Sequence, residues 1–101
     1  MSTQFDHNNI DIILHSRLRL AILAILSTVD EIDFTTLCKE VNTTNGNLSS
    51  HLKKLEEVNY IIIEKRFVKN KPLTACKVTK QGLEAFQAYL DMVEQFAKQK
   101  R

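Results

Sequence analysis

Apolar positions along the chain fall into seven separate segments. Ile10, Ile13 and Leu14 make a short apolar turn that breaks at His15-Ser16. RLRLAILAILST, residues 17–28, comes next, with Leu18, Leu20, Ile22, Leu23, Ile25 and Leu26 distributed nearly all round a helical wheel. That distribution predicts a central helix buried on most sides, with Ser16 as its N-cap. Phe34, Leu37 and Val41 then recur at i, i+3 and i+7 behind a capping Asp33. Asn42-Thr43-Thr44 interrupts the repeat, and Thr43 or Thr44 caps a new helix whose leucines at 48, 52 and 55 carry it to about Val58. Asn59 is next, a residue that tolerates the left-handed conformation closing many helices. Tyr60–Phe67 and Leu73–Val78 are β-prone and are split by VKNKP, a hairpin signal with Asn70-Lys71-Pro72 at the turn. Thr79 caps a last amphipathic helix over residues 80–98.

The expected order is therefore helix, helix, helix, strand, strand, helix. A short helix, a three-residue break and a second helix form a helix-turn-helix over about residues 34–58. The basic-tipped hairpin over about 61–78 forms a wing, and the helix over about 80–98 is left for dimerisation. The fold class is mainly α with a small β-hairpin: a winged helix-turn-helix, dimeric, in one domain spanning residues 1–101. A chain of 101 residues supports one modest core, and two glycines and one proline leave little room for a turn-rich β architecture.

The helix after the break has an unusual polar face. At ~100° per residue, with Leu48 at zero, Leu52 and Leu55 lie within roughly 40° and form the inward stripe. Gly46, Asn47, Ser50, Lys53 and Lys54 face outward, with Asn45, Ser49 and His51 at the flanks. A helix that needed only solvation would carry Glu and Lys there. Asn offers the paired donor and acceptor that suit adenine N6 and N7, and Ser hydroxyls serve base edges or phosphate. Gly46 costs the helix about 1 kcal/mol relative to Ala, a cost that makes sense where the backbone must approach a partner closely. His51, at the stripe edge, reads as a packed core-edge residue in preference to a metal ligand.

The net charge of +2 becomes informative once divided. Residues 1–42 carry three basic and six acidic side chains, or −3; residues 43–72 carry six and three, or +3; residues 73–101 carry five and three, or +2. Positive charge thus gathers on the polar helix and the hairpin, as suits a polyanion. In the hairpin, alternation puts Lys65 and Arg66 on opposite faces, so at most one points toward DNA from the stem. Arg66 and the tip residues Lys69 and Lys71 are the wing candidates for phosphate or minor-groove contact.

The last helix carries more apolar surface than one small core uses. Leu83, Phe86, Leu90, Val93 and Ala97 form one stripe, and Ala85, Tyr89, Met92 and Phe96 a second. Docking on a single core takes a stripe of ~100°. The surplus predicts an interface with the same helix of another subunit through Phe86, Tyr89, Leu90, Met92, Val93 and Phe96, joined by Ile10, Ile13 and Leu14. A two-fold dimer would set two recognition helices about one DNA turn apart.

Other chemistries find little support. Cys38 and Cys76 are isolated and read as small buried hydrophobes. No metal-spaced cluster, nucleophile–base pairing or Gly-rich phosphate loop is visible, so no catalytic residue, metal or cofactor is expected. No apolar run approaches the ~20 residues of a membrane span, and MSTQFDHNN lacks a leader pattern; the expectation is a cytoplasmic protein that binds no membrane.

HSRLRLAILAIL, DFTTLCKEV, TTNGNLSSHLKKLEEVNYI and VTKQGLEAF resemble, in order and spacing, small winged-helix transcriptional regulators of the MarR/ArsR type, over roughly residues 8–95. The likeness is to the short group made of little more than the DNA-binding domain. It implies a homodimer on double-stranded DNA, with contacts from Thr44, Asn45, Asn47, Ser49, Ser50 and Lys53 and from the wing. Asn59 stands where the family pattern usually has Gly. The metal-sensing ArsR branch carries a Cys-x-Cys pair where only Cys38 occurs here, which argues against that route. Two rival uses of the fold are a protein-interaction module and a redox- or ligand-responsive regulator working through Cys38 or Cys76.

Overall fold

A computed structural model describes residues 10–99; residues 1–9, on which the expectation of no leader rests, and residues 100–101 lie outside it. The elements are α1 (Arg17–Leu26), β1 (Ile32–Asp33), α2 (Phe34–Val41), α3 (Asn45–Glu57), β2 (Ile61–Val68), β3 (Lys71–Val78) and α4 (Lys80–Gln99).

Local chemistry sets each boundary. Ser16 Oγ accepts from the Arg19 amide and opens α1. The helix stops at Leu26, two residues earlier than its apolar pattern suggests, because the Ser27 and Thr28 hydroxyls donate to the carbonyls of Ala24 (2.7 Å) and Ile25 (2.8 Å). Those bonds compete with helix continuation. Asp33 caps α2 through Oδ2, which accepts from the Thr36 amide at 3.0 Å.

Two asparagines close the helix-turn-helix by the same device. Asn42 (φ 56°) and Asn59 (φ 64°) are left-handed. The amides of Asn42 and Thr43 donate to Lys39 and Cys38 carbonyls, and those of Asn59 and Tyr60 to Glu56 and Leu55. This is the paired bonding of a Schellman end, with Asn in place of Gly. Of the two threonines before α3, Thr44 is the cap: its Oγ1 accepts from the Asn47 amide at 3.1 Å.

Two expectations about the sheet are corrected. It has three antiparallel strands in the order β1-β3-β2, not a hairpin alone. Ile32 and Asp33 pair with Cys76 and Ala75, and a two-residue strand carries no alternation by which to recognise it. The hairpin turn also falls earlier, on Lys69 (φ 53°) and Asn70 (φ 64°), with Val68 opposite Lys71. Two successive left-handed residues make the type I′ turn that matches strand twist. Val68–Lys71 is then a hydrogen-bonded pair and Phe67–Pro72 a non-hydrogen-bonded one. Pro72 therefore sits within β3 without a missing ladder bond, because its nitrogen faces away from β2.

The core lies where α1, α2, α3 and the inner sheet face meet. α1 contributes Ile22, Leu23 and Leu26, α2 Leu37, α3 Leu48, Leu52 and Leu55, and the sheet Ile61 and Cys76. Each buried aliphatic side chain stabilises the fold by about 2 kcal/mol before entropy is counted. α1 is less enclosed than its composition suggests: Leu18, Leu20 and Ile25 are half-buried and Ala24 is exposed.

α4 docks through Ala85, Phe86 and Tyr89. Its first turn is tied to the end of α3 by Thr79, whose hydroxyl donates to the Asn59 carbonyl (2.6 Å) and accepts from the Gly82 amide (2.9 Å). A Cβ at Gly82 would overlap the Tyr60 carbonyl oxygen, so this crossing requires glycine. Among the described residues no helix is long and apolar enough to cross a membrane.

Candidate nucleic-acid interface

The α3 face expected to meet DNA is free of the protein's own cover. Asn45, Gly46, Asn47, Ser49, Ser50, Lys53 and Lys54 are all exposed, as is the capping Thr44, while Leu48, Leu52 and Leu55 are buried beneath them. Two of these side chains have work inside the protein. Thr44 spends a lone pair on the cap. Asn45 accepts from the Cys38 thiol through Oδ1 at 3.3 Å, leaving its amide hydrogens outward; the same thiol also lies 3.2 Å from the Thr43 carbonyl. Nothing of the protein lies within 4 Å of the position a Gly46 Cβ would occupy. No internal packing demands glycine there.

His51 is the one half-buried residue on the polar side. Its Nδ1 lies 2.9 Å from Arg19 Nη1. Guanidinium only donates, so Nδ1 accepts and the imidazole is neutral. Burial first, then the charges of Arg19 and Lys54, hold the His51 pKa below its ordinary value. Arg19 Nε also donates to the Ile13 carbonyl. α3 is thereby linked through one guanidinium to the segment before α1, which Tyr60 pins from the other side by donating to Asp11 Oδ2 at 2.6 Å. Burial and then the Asp11 bond push the Tyr60 pKa up to about 12, so the phenol stays protonated.

A groove separates α3 from the wing. Phe34, Leu52 and Ile63 floor it, and Ser49, Lys53, Glu56, Lys65 and Thr74 form its sides. Lys53 of α3 and Lys65 of β2 thus line one channel open to solvent, together with Glu56. The structure places Arg66 elsewhere. It lies on the opposite face of the stem, ion-paired with Glu31 and with Glu64 (3.2 Å), while Lys65 is the stem residue that lines the groove beside α3. The missing partner was Glu31, which pairs with Arg66 across 35 residues and gives no local signal. Lys69 and Lys71 are exposed at the tip as expected.

On the other flank of α3, Arg17, Ala21, Asn42, Thr43 and Asn47 line a second depression. Arg17 is exposed and lines this depression together with Asn47 of α3, a neighbourhood that its place at the start of an apolar helix did not reveal.

A family profile described as "Winged helix DNA-binding domain" matches residues 18–97. The chain belongs to that family. The chain is also 37% identical to an uncharacterized protein of Methanocaldococcus jannaschii, over 86 residues that cover 85% of this chain and 94% of the relative. The winged-helix fold is also that of a transcriptional regulator homologue from Pyrococcus horikoshii, with TM-score 0.80 and 27% identity over 85% of each chain. AbsC, a MarR family transcriptional regulator from Streptomyces coelicolor, shares the fold at TM-score 0.69 and 20% identity, over 82% of this chain and 57% of AbsC. The protein is a DNA-binding transcriptional regulator of the winged-helix type.

The surfaces expected at a dimer interface divide. Leu14 is fully buried in its own chain, and Ile13, Phe86 and Tyr89 pack against the core. These four side chains contribute to the packing of their own subunit. Leu90, Val93 and Phe96 are exposed, as expected, and so are Leu83 and Ile12; Ile10 and Met92 are half-buried. Helical alternation alone does not reveal which stripe meets its own core. Neither cysteine is accessible: both are buried, and burial raises the Cys76 pKa to about 11.

Proposed function

We propose that the protein binds operator DNA as a homodimer, with α3 in the major groove and the wing across the adjacent backbone. One observation carries this reading. The outward side of α3 from Thr44 to Lys54 is polar and, His51 apart, exposed, and it borders an open channel lined by both Lys53 and Lys65. A phosphate strand lying in that channel would meet both ammonium groups. It would bring Asn47, Ser49, Ser50 and the Gly46 backbone to base edges or adjacent phosphates, with Thr44, Asn45 and Lys54 at the margins and Lys69 and Lys71 beyond.

The dimer is supported by the form of α4. Its core contacts end at Tyr89, yet the helix continues to Gln99 with Leu90, Val93 and Phe96 exposed. An apolar stripe that outruns its own core is best covered by a second copy, which would pair two recognition helices for a palindromic site. The whole of residues 1–101 acts as one DNA-binding unit, in the cytoplasm, without a catalytic step. Selecting bound sequences from random duplexes tests this. A palindromic consensus with half-sites about one helical turn apart is expected, bound with strong salt dependence. Absence of salt-sensitive binding to any duplex would overturn it.

A further inference from the structure

Phosphate contact leaves one feature of the wing unused. Phe67 is 75% exposed, although it is the largest apolar side chain of the hairpin. It shares a stem face with Ile63 and Lys65 by alternation, so it stands on the α3 side, one pleat outward from the lysine that borders the channel. Its cross-strand neighbour is Pro72, and a two-residue turn ends the hairpin immediately beyond. Lys65 shares its face, Lys69 lies in the turn just beyond and Lys71 pairs with Val68 on the reverse face, and residues 65–72 contain no acidic side chain. The nearest carboxylate in sequence, Glu64, is held by Arg66 and by Lys77 at 3.6 Å. An exposed apolar ring on a basic hairpin tip matches a surface that is anionic at its rim and apolar inside. A nucleic-acid groove has that character, with phosphates at the edge and sugar and base faces within.

We propose that Phe67 is an apolar wedge that enters the minor groove beside the half-site read by α3 and partly unstacks one base step there. The inference rests on the DNA-binding reading and deepens it. With a backbone strand lying between Lys53 and Lys65, the groove across that strand is the minor groove, and the tip of the hairpin reaches it. A two-residue turn is narrow, as a groove only ~6 Å wide requires. Inserted apolar side chains open base steps and kink the duplex, most easily at pyrimidine–purine steps. Phe67 therefore gives the protein a flank preference, for TA or CA/TG steps under the wing, at a position where no side chain hydrogen-bonds a base.

The test uses the full chain and its selected duplex, with 2-aminopurine at the flanking step and either a TA step or only G·C pairs beneath the wing. Wild-type protein should raise 2-aminopurine fluorescence at the TA flank. Phe67→Ala should abolish that rise and weaken binding to the TA-flanked duplex about tenfold, leaving the G·C-flanked affinity unchanged. Phe67→Leu should retain part of both effects. Sedimentation without DNA should show the same self-association for wild type and Phe67→Ala. If the alanine variant matches wild type on both duplexes and in fluorescence, the wedge is overturned and operator binding stands. If it loses self-association, the ring covers a second copy and the wedge is again overturned. A wild-type chain that shows no salt-sensitive binding removes both readings, and that control is independent of Phe67.

Discussion

Gly46 and His51 occupy the same helix for different reasons. Gly46 has open space where a side chain would go and no left-handed backbone to relieve, so its cost to α3 is not recovered inside the subunit. Gly46→Ala should therefore raise stability by about 0.5 kcal/mol in chemical denaturation while weakening operator binding about tenfold or more in gel shift. A variant gaining stability with undiminished binding would show that the backbone does not approach DNA closely. His51 is constrained from within by the Arg19 guanidinium. Its folded-state pKa lies below the unfolded value, so just below about pH 6.5 the unfolded chain holds more protons. By linkage, stability is complete above that pH and declines as the pH falls through the folded pKa. Thermal melts between pH 7.5 and 5 should show this decline in wild type and a flatter profile in His51→Gln, whose amide has no such titration.

At the scale of elements, the stem of the wing separates binding from stability by a one-residue alternation. Lys65 borders the α3 channel, and Arg66 is tied to Glu31 and Glu64 on the far face. Lys65→Ala should weaken DNA binding uniformly across sequences and lower the salt slope by about one. Arg66→Ala should leave the slope alone and cost less than about 1 kcal/mol of stability, since the pairs are solvent-exposed. The opposite assignment would place the DNA on the other side of the hairpin. The caps can be tested independently of DNA. Asp33→Ala should cost about 1 kcal/mol at neutral pH. The Asp33 carboxyl is held below its ordinary pKa by the Thr36 hydroxyl first and the Thr36 amide second. That difference should persist above the unfolded carboxylate pKa and shrink as acid protonates the folded carboxyl.

At the scale of the whole molecule, α4 is the element through which the proposed dimer would form. Gly82 and Thr79 fix where it leaves the core, and its second half carries apolar surface past Tyr89. Leu90→Asp combined with Val93→Asp should convert the proposed dimer to a monomer in sedimentation with helicity retained. Because one half-site then binds alone, operator affinity should fall by about a hundredfold or more. The segment before α1 takes part less than its apolar turn suggests, because Leu14 is already fully buried.

Helix-turn-helix and wing were legible from residues alone because the physics that makes them is local. Leucines at 48, 52 and 55 must share a face, Thr44 can cap only the helix that begins just after it, and Asn42 and Asn59 accept the left-handed backbone that ends a helix. The polar side of α3 was legible for the same reason, since removing three leucines to the core leaves every other direction to solvent or a partner. Tertiary structure decided what depends on residues distant in the chain. β1 exists only through Ala75 and Cys76, and Arg66 is ion-paired only because the fold brings Glu31 to it. Which stripe of α4 is spent on its own core is likewise settled by where Thr79 and Gly82 anchor the helix against Asn59 and Tyr60.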